Sequence, residues 1–182
     1  MMSNPTIEII DKLLPPRQLS HIQSIFLGSK FPWCWNKVLY DEEHYQNAMV
    51  LYWEDRPSNQ YYDELEPIIK SPKLFITTPY RIKANLNPPT SENIQHGFHT
   101  DNNTDCTTGI FYVNTNNGYT LFKDGTKVDC IANRFVSFPV NTEHCGVTAT
   151  DTMKVVINFN YFHTFECNRV RYLSRYEKYA ES

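Results

Sequence analysis

Long apolar runs are missing from this chain of 182 residues. None approaches the roughly 18 residues a membrane-spanning helix requires, so no membrane partner is expected. An excess of one sign of charge is missing too: 17 basic against 20 acidic side chains leave −3 at pH 7, which disfavours a nucleic-acid or anionic-membrane surface. Glycine is scarce at 6 residues, and the patterns G-x-x-x-x-G-K-[ST], G-x-G-x-x-G and G-x-S-x-G are absent. That removes the phosphate loop, the dinucleotide fingerprint and the hydrolase elbow in their usual forms. The 5 cysteines are an odd count with no C-x-x-C pair, so neither a zinc knuckle nor a disulfide scaffold is suggested. All five are expected to be reduced and off any metal. Met1-Met2-Ser3-Asn4-Pro5 lacks a basic stretch followed by an apolar one, so no secretory signal is expected and the expected setting is cytoplasmic. What is present, 41% hydrophobic and 14% aromatic residues, is the composition of a folded chain with the length of one domain.

Proline and glycine divide the sequence. Ten of the 11 prolines lie at or before Pro89, and five of the 6 glycines at or after Gly97. In the first part, Arg17–Leu27 carries Leu19, Ile22 and Phe26 at helical spacing, and Tyr61–Ile69 carries Tyr61, Leu65 and Ile68. Met49–Trp53 and Leu74–Thr77 read as strands, and Tyr80–Leu86 alternates Ile82, Ala84 and Leu86 with Arg81, Lys83 and Asn85, a strand with one wet face. From residue 96 strand candidates recur every 8–12 residues, separated by turn residues: Gly97–Asp101, Thr108–Asn114, Tyr119–Phe122, Lys127–Ile131, Arg134–Phe138, His144–Val147 and Lys154–Phe162. That spacing predicts a sandwich or barrel. The tail from Asn168 to Ser182 reads as a short helix over the core. The expected fold class is mainly β with flanking helices. The expected organisation is one domain over 1–182, with a support region 1–79, a catalytic β-core 80–162 and a C-terminal tail 163–182.

His99 and Asp101 stand two apart in a strand candidate, so both side chains leave the same face. His144 lies several strands further on, where an antiparallel neighbour can return. Two imidazoles and one carboxylate on one face of an octahedral ion leave three positions open, the arrangement of non-haem Fe(II) oxygenases. Taken alone, an H-x-D triplet is more readily chance than a metal site. Ten residues after His144, however, Lys154 opens the strand Lys154–Phe162. On that strand Lys154, Val156, Asn158 and Asn160 share one face and Val155, Ile157 and Phe159 the other.

The order H-x-D, then His, then a basic residue resembles the 2-oxoglutarate- and Fe(II)-dependent oxygenases of the prolyl-4-hydroxylase type. Three further stretches carry the resemblance: Thr107 to Asn114, Asn117-Gly118-Tyr119-Thr120-Leu121-Phe122, and Arg134 to Pro139 followed by Glu143-His144-Cys145-Gly146-Val147. It covers about residues 80–162 and implies a double-stranded β-helix (jelly roll). It also implies Fe(II) on His99, Asp101 and His144, with O2 and 2-oxoglutarate as co-substrates and ascorbate as an accessory reductant. Lys154 would pair with the distal carboxylate of 2-oxoglutarate, helped by the hydroxyl of Tyr112 or Thr120, since lysine offers a point charge where arginine offers a fork. Arg134 is the second choice for that anchor.

Asn158 and Asn160, and more weakly Asn85, are candidates for the substrate wall. His96 is read as a loop residue, and Asn87–His96 as a loop that rims the iron and orders on substrate binding. The implied activity is hydroxylation of a C–H bond with release of succinate and CO2. Peptidyl proline is the leading substrate, with a free amino acid or other small metabolite next. Two other readings stay open: a non-catalytic jelly-roll binding module, and a same-fold oxygenase acting on a nucleic-acid base. The net charge and Asn160, where such repair enzymes carry arginine, weigh against the last.

Overall fold

In a computed structural model, residues 6–38, 41–54, 56–101 and 104–163 are described. The elements in chain order are β1 (Glu8–Ile10), α1 (Pro16–Phe26), β2 (Cys34–Val38), β3 (Asp41–Trp53), β4 (Arg56–Pro57), a 3-10 segment Gln60–Leu65 running into α2 (Glu66–Ile69), β5 (Ile76–Asn87), β6 (Thr107–Tyr112), β7 (Tyr119–Phe122), β8 (Lys127–Asp129), β9 (Arg134–Pro139), β10 (His144–Val147) and β11 (Lys154–His163). The major sheet has eight strands in the order β1-β9-β6-β11-β5-β3-β2 with β4 beside β3, and the minor sheet has the order β10-β7-β8. All pairings are antiparallel. The chain is therefore mainly β with flanking helices, the expected fold class.

β11 lies between β5 and β6 at the centre of the major sheet, and its alternation separates two cores. Val155, Ile157 and Phe159 turn outward to join Phe111, Phe135, Ile82 and Ala84 beneath the helical residues Ile22, Phe26, Leu65 and Ile68. Val156 turns inward with Ile110, Tyr112, Phe122, Val128, Val136 and Phe138, between the two sheets. Residues 154–161 are buried or half-buried on both faces, as befits a central strand covered on both sides. Gly109 on β6 is required by close approach: a Cβ there would stand 2.3 Å from the Phe135 ring.

Several expectations change in detail. Leu74–Thr77 and Tyr80–Leu86 merge into one strand, β5, which runs through Pro79. The helix expected over Tyr61–Ile69 begins as a 3-10 segment, with Asn59 accepting from the Tyr61 N–H at its start. The strand expected over Gly97–Asp101 is reduced to isolated bridges, Gln95 to Val147 and His99 to His144. One side advances four residues while the other advances three, so an extra residue breaks the ladder as in a bulge. The expected tail helix lies outside the described residues. No helix among the described residues is long and apolar enough to cross a membrane.

Candidate metal centre and co-substrate pocket

The bulged pairing places two histidines side by side. His99 N–H donates to the His144 carbonyl and His144 N–H to the His99 carbonyl, both at 3.0 Å, and the two rings stand 4.8 Å apart between centroids. Each ring is oriented from behind: Nδ1 of His99 faces the Gly97 carbonyl at 3.1 Å and Nδ1 of His144 the Thr142 carbonyl at 3.0 Å. Against a carbonyl, Nδ1 carries the proton, so the lone pair is left on Nε2. Both Nε2 atoms lie 3.7 Å from Oδ1 of Asp101, and the three donor atoms lie within 4.8 Å of one another. Metal–ligand bonds of about 2.0–2.2 Å at right angles need donors about 3 Å apart, so small side-chain rotations close the set on one ion. The donor set fits a divalent iron.

The electrostatics favour an ionised carboxylate beside two imidazoles and a guanidinium. Burial would raise the Asp101 pKa, but His99, His144 and Arg81 together hold it down at about 2. At His99 burial pulls downward, yet Asp101 and the Gly97 carbonyl prevail and the value is raised. At His144 burial prevails and the value is lowered, which suits a neutral ligand packed on the edge of Phe138, 4.7 Å away.

Asn160 holds Asp101. Its Nδ2 donates to Thr108 Oγ1 at 3.1 Å and approaches Asp101 Oδ2 at 3.4 Å. Asn160, a candidate for the substrate wall, is buried and bonded to Thr108 and Asp101, off the cavity lining.

A cavity of about 130 Å³ runs from this triad between the sheets. At one end Lys154 is buried, 4% exposed, and donates to the carbonyls of Tyr119 at 2.7 Å and Val147 at 2.9 Å. Among the described residues no carboxylate pairs with it, and burial lowers its pKa while Cys130 and Cys145 draw it back. Thr120 lines the cavity beside it, across from Gly146 in the minor sheet. Gly146 leaves open the space between Lys154 Nζ and His96, where a Cβ would stand 3.7–3.8 Å from each. Tyr112 does not line the cavity; its hydroxyl donates to Thr120 Oγ1 at 2.7 Å and so reaches the cavity only through that threonine. Arg134 is elsewhere, paired with Asp11 at 2.7 Å, which removes it as the second choice for the anchor.

The major sheet supplies the other wall. Asn85, Asn158 and His96 line it. Arg81 and Lys83 line it too, although sequence reasoning placed them on a wet face. The signal was available: Asn85 is a sequence candidate for this wall, and Arg81 and Lys83 share its parity. The loop Asn87–His96, expected to order only with substrate, is already strapped down. Thr90 N–H bonds to the Ala149 carbonyl, His96 N–H to the Gly146 carbonyl, and Ile94 N–H to Thr148 Oγ1.

The two packed sheets, with the triad at the open end of the cavity between them, are the double-stranded β-helix of the 2-oxoglutarate/Fe(II) oxygenases, and the His-Asp-His set matches their iron-binding motif. Among solved structures, the chain is similar to a prolyl hydroxylase from Trichoplax adhaerens, solved with a peptide fragment of the hypoxia-inducible-factor oxygen degradation domain: 14% identity, 88% of this chain and 84% of that one, TM-score 0.63. It is similar to a 2-oxoglutarate/Fe(II) oxygenase-family oxidoreductase from Burkholderia pseudomallei at 11% identity, over 86% and 84% of the two chains, with TM-score 0.68. A third is the α-ketoglutarate-dependent epimerase SnoN of nogalamycin biosynthesis, at 10% identity over 87% and 77%, with TM-score 0.65. No protein-family profile and no curated protein sequence matches the chain.

Proposed function

We propose that this protein is an oxygenase that hydroxylates a C–H bond of a primary substrate while converting 2-oxoglutarate to succinate and CO2. The observation that carries this reading is a pocket with a three-donor face at one end and a buried, carboxylate-free lysine toward the other. His99, Asp101 and His144 would hold Fe(II), which supplies the oxidising chemistry with O2 and 2-oxoglutarate when bound. Their three donors would take one face of the ion and leave other positions to ligands.

Lys154 would take the distal carboxylate of 2-oxoglutarate, exchanging no ion pair to do so, and Thr120 would add a hydroxyl donor. Tyr112, fully buried, keeps its proton because burial raises its pKa. Its hydroxyl donates to Thr120, so it positions that residue and leaves the Thr120 proton free for the co-substrate. The likeness to a prolyl hydroxylase favours a peptidyl proline as substrate; the small cavity with cations in its wall favours a small metabolite.

The test is metal-dependent binding followed by turnover. Under argon the protein should bind one Fe(II) and then one 2-oxoglutarate, with no 2-oxoglutarate binding in its absence, and air should release succinate. His99→Ala, Asp101→Ala and His144→Ala should each lose the metal. Metal-dependent 2-oxoglutarate binding with no succinate formed would favour the non-catalytic binding module. Equal binding with and without metal would sink both.

A further inference from the structure

The cavity wall holds more positive charge than the co-substrate needs. Its described lining has three cations, Arg81, Lys83 and Lys154, and Asp101 as the one carboxylate. Fe(II) and doubly charged 2-oxoglutarate balance each other, and Asp101 balances one cation, so two positive charges stay uncompensated in a confined site. Confinement makes that costly, because interactions between charges strengthen as water is excluded.

The surplus is localised. In the β5–β11 ladder, Lys154 pairs with Asn87, Asn158 with Lys83 and Asn160 with Arg81. At about 3.3 Å per residue, Lys83 lies about 13 Å along the sheet from Lys154. A five-carbon diacid that reaches from the triad to Lys154 cannot also serve this pair. Arg81 and Lys83 instead stand at the Asp101 end of the wall.

Asp101 acts on both only at longer range, and neither forms a direct ion pair with a described residue. Among the described residues no carboxylate lies within 4.0 Å of either cationic group, and neither group makes a hydrogen bond. Arg81 is oriented by Trp53, whose ring centroid lies 5.9 Å from the guanidinium carbon. Next to the pair, Asn85 and Asn158 line the same wall with side-chain oxygens that are buried and make no hydrogen bond. Buried amides left this way mark a place where a ligand supplies partners.

We propose that Arg81 and Lys83 bind a carboxylate of the primary substrate, with Asn85 and Asn158 taking an adjacent N–H or O–H. The substrate is then a small carboxylic acid with a neighbouring hydrogen-bonding group, of which an α-amino acid is the simplest, and not an internal proline of a peptide. Arginine supplies a two-pronged donor that matches a carboxylate, and lysine a second charge beside it. The inference rests on the oxygenase reading above.

The experiment is calorimetry on the protein loaded with Mn(II) and 2-oxoglutarate. The titrants are the free L-α-amino acids, their primary amides and a blocked prolyl peptide. At least one acid should bind, about tenfold or more tighter than its amide, the preference expected of charge-assisted contacts. That preference should collapse in Arg81→Gln and Lys83→Gln and return in Lys83→Arg, which also shows that the fold tolerates change at this position. The proposal is overturned if an amide or the blocked peptide binds as well as any acid, or if no acid binds. It is equally overturned if the acids displace 2-oxoglutarate, which would make the pair part of the co-substrate site. Failure of the loaded complex to form is instead the failure of the oxygenase reading, and this inference falls with it.

Discussion

The two faces of β11 differ as sharply as any two parts of the molecule. Its outward residues Val155, Ile157 and Phe159 are fully buried hydrocarbon beneath the helices. Its inward residues Lys154, Asn158 and Asn160 are polar, buried or half-buried, and include a lysine with no acidic partner among the described residues. The difference teaches a division of labour within one strand. The outer face supplies the stability that lets the inner face keep polar groups in places no stability argument would choose.

The comparison breaks most completely at the triad. Asp101→Ala is expected to abolish Fe(II) binding while leaving the circular dichroism and melting of the metal-free protein close to wild type. A large loss of fold would show that the carboxylate belongs to the scaffold. On the other face, Phe159→Ala should cost about 3–5 kcal/mol in urea unfolding. Its folded fraction should still bind metal, and a selective loss of metal affinity would erase the division between faces.

Lys154→Ala should weaken 2-oxoglutarate at least tenfold, from a charge-assisted contact worth about 1.5–3 kcal/mol, with Lys154→Arg intermediate. An unchanged 2-oxoglutarate affinity would remove Lys154 from the site. Asn160→Leu, which removes the support behind Asp101, should lower metal affinity by about tenfold, the scale of outer-shell changes.

The smallest effect belongs to Asp11–Arg134 at the surface. Arg134 holds the Asp11 carboxyl below its usual value. Its contribution is present above the ordinary carboxylate range and is lost as pH falls through that range. It should amount to less than about 1 kcal/mol, and Asp11→Asn should remove that acid-side slope.

Much of this was legible in the sequence because the period-2 pattern reports parity directly. Lys154, Val156 and Asn158 were assigned to one face from their spacing alone, and the cavity lining includes all three. The H-x-D pair needed only alternation, and it survives the bulge that interrupts its ladder. What alternation cannot say is whether a polar face looks at water or at a cavity, which is why Arg81 and Lys83 read as solvent-facing. Nor does it give depth: Tyr112 has the right parity but stops one residue short, behind Thr120. The β2–β3 hairpin went unread for another reason. Asp41 to Gln46 is mostly polar and charged, with low strand propensity, and pairing with β2 overrides that preference.

The reciprocal backbone bonds between His99 and His144 bear on how the protein is assembled. These histidines come from opposite ends of a segment that contains β6 through β9, and closing a loop of that size costs about 3 kcal/mol of chain entropy. The two N–H···O bonds that secure the closure involve no side chain, so the rings meet as a result of sheet formation. In kinetic terms the centre is a late, high-contact-order event. Until that closure the chain presents only the local pair His99 and Asp101, and the third donor, His144, arrives with the finished fold.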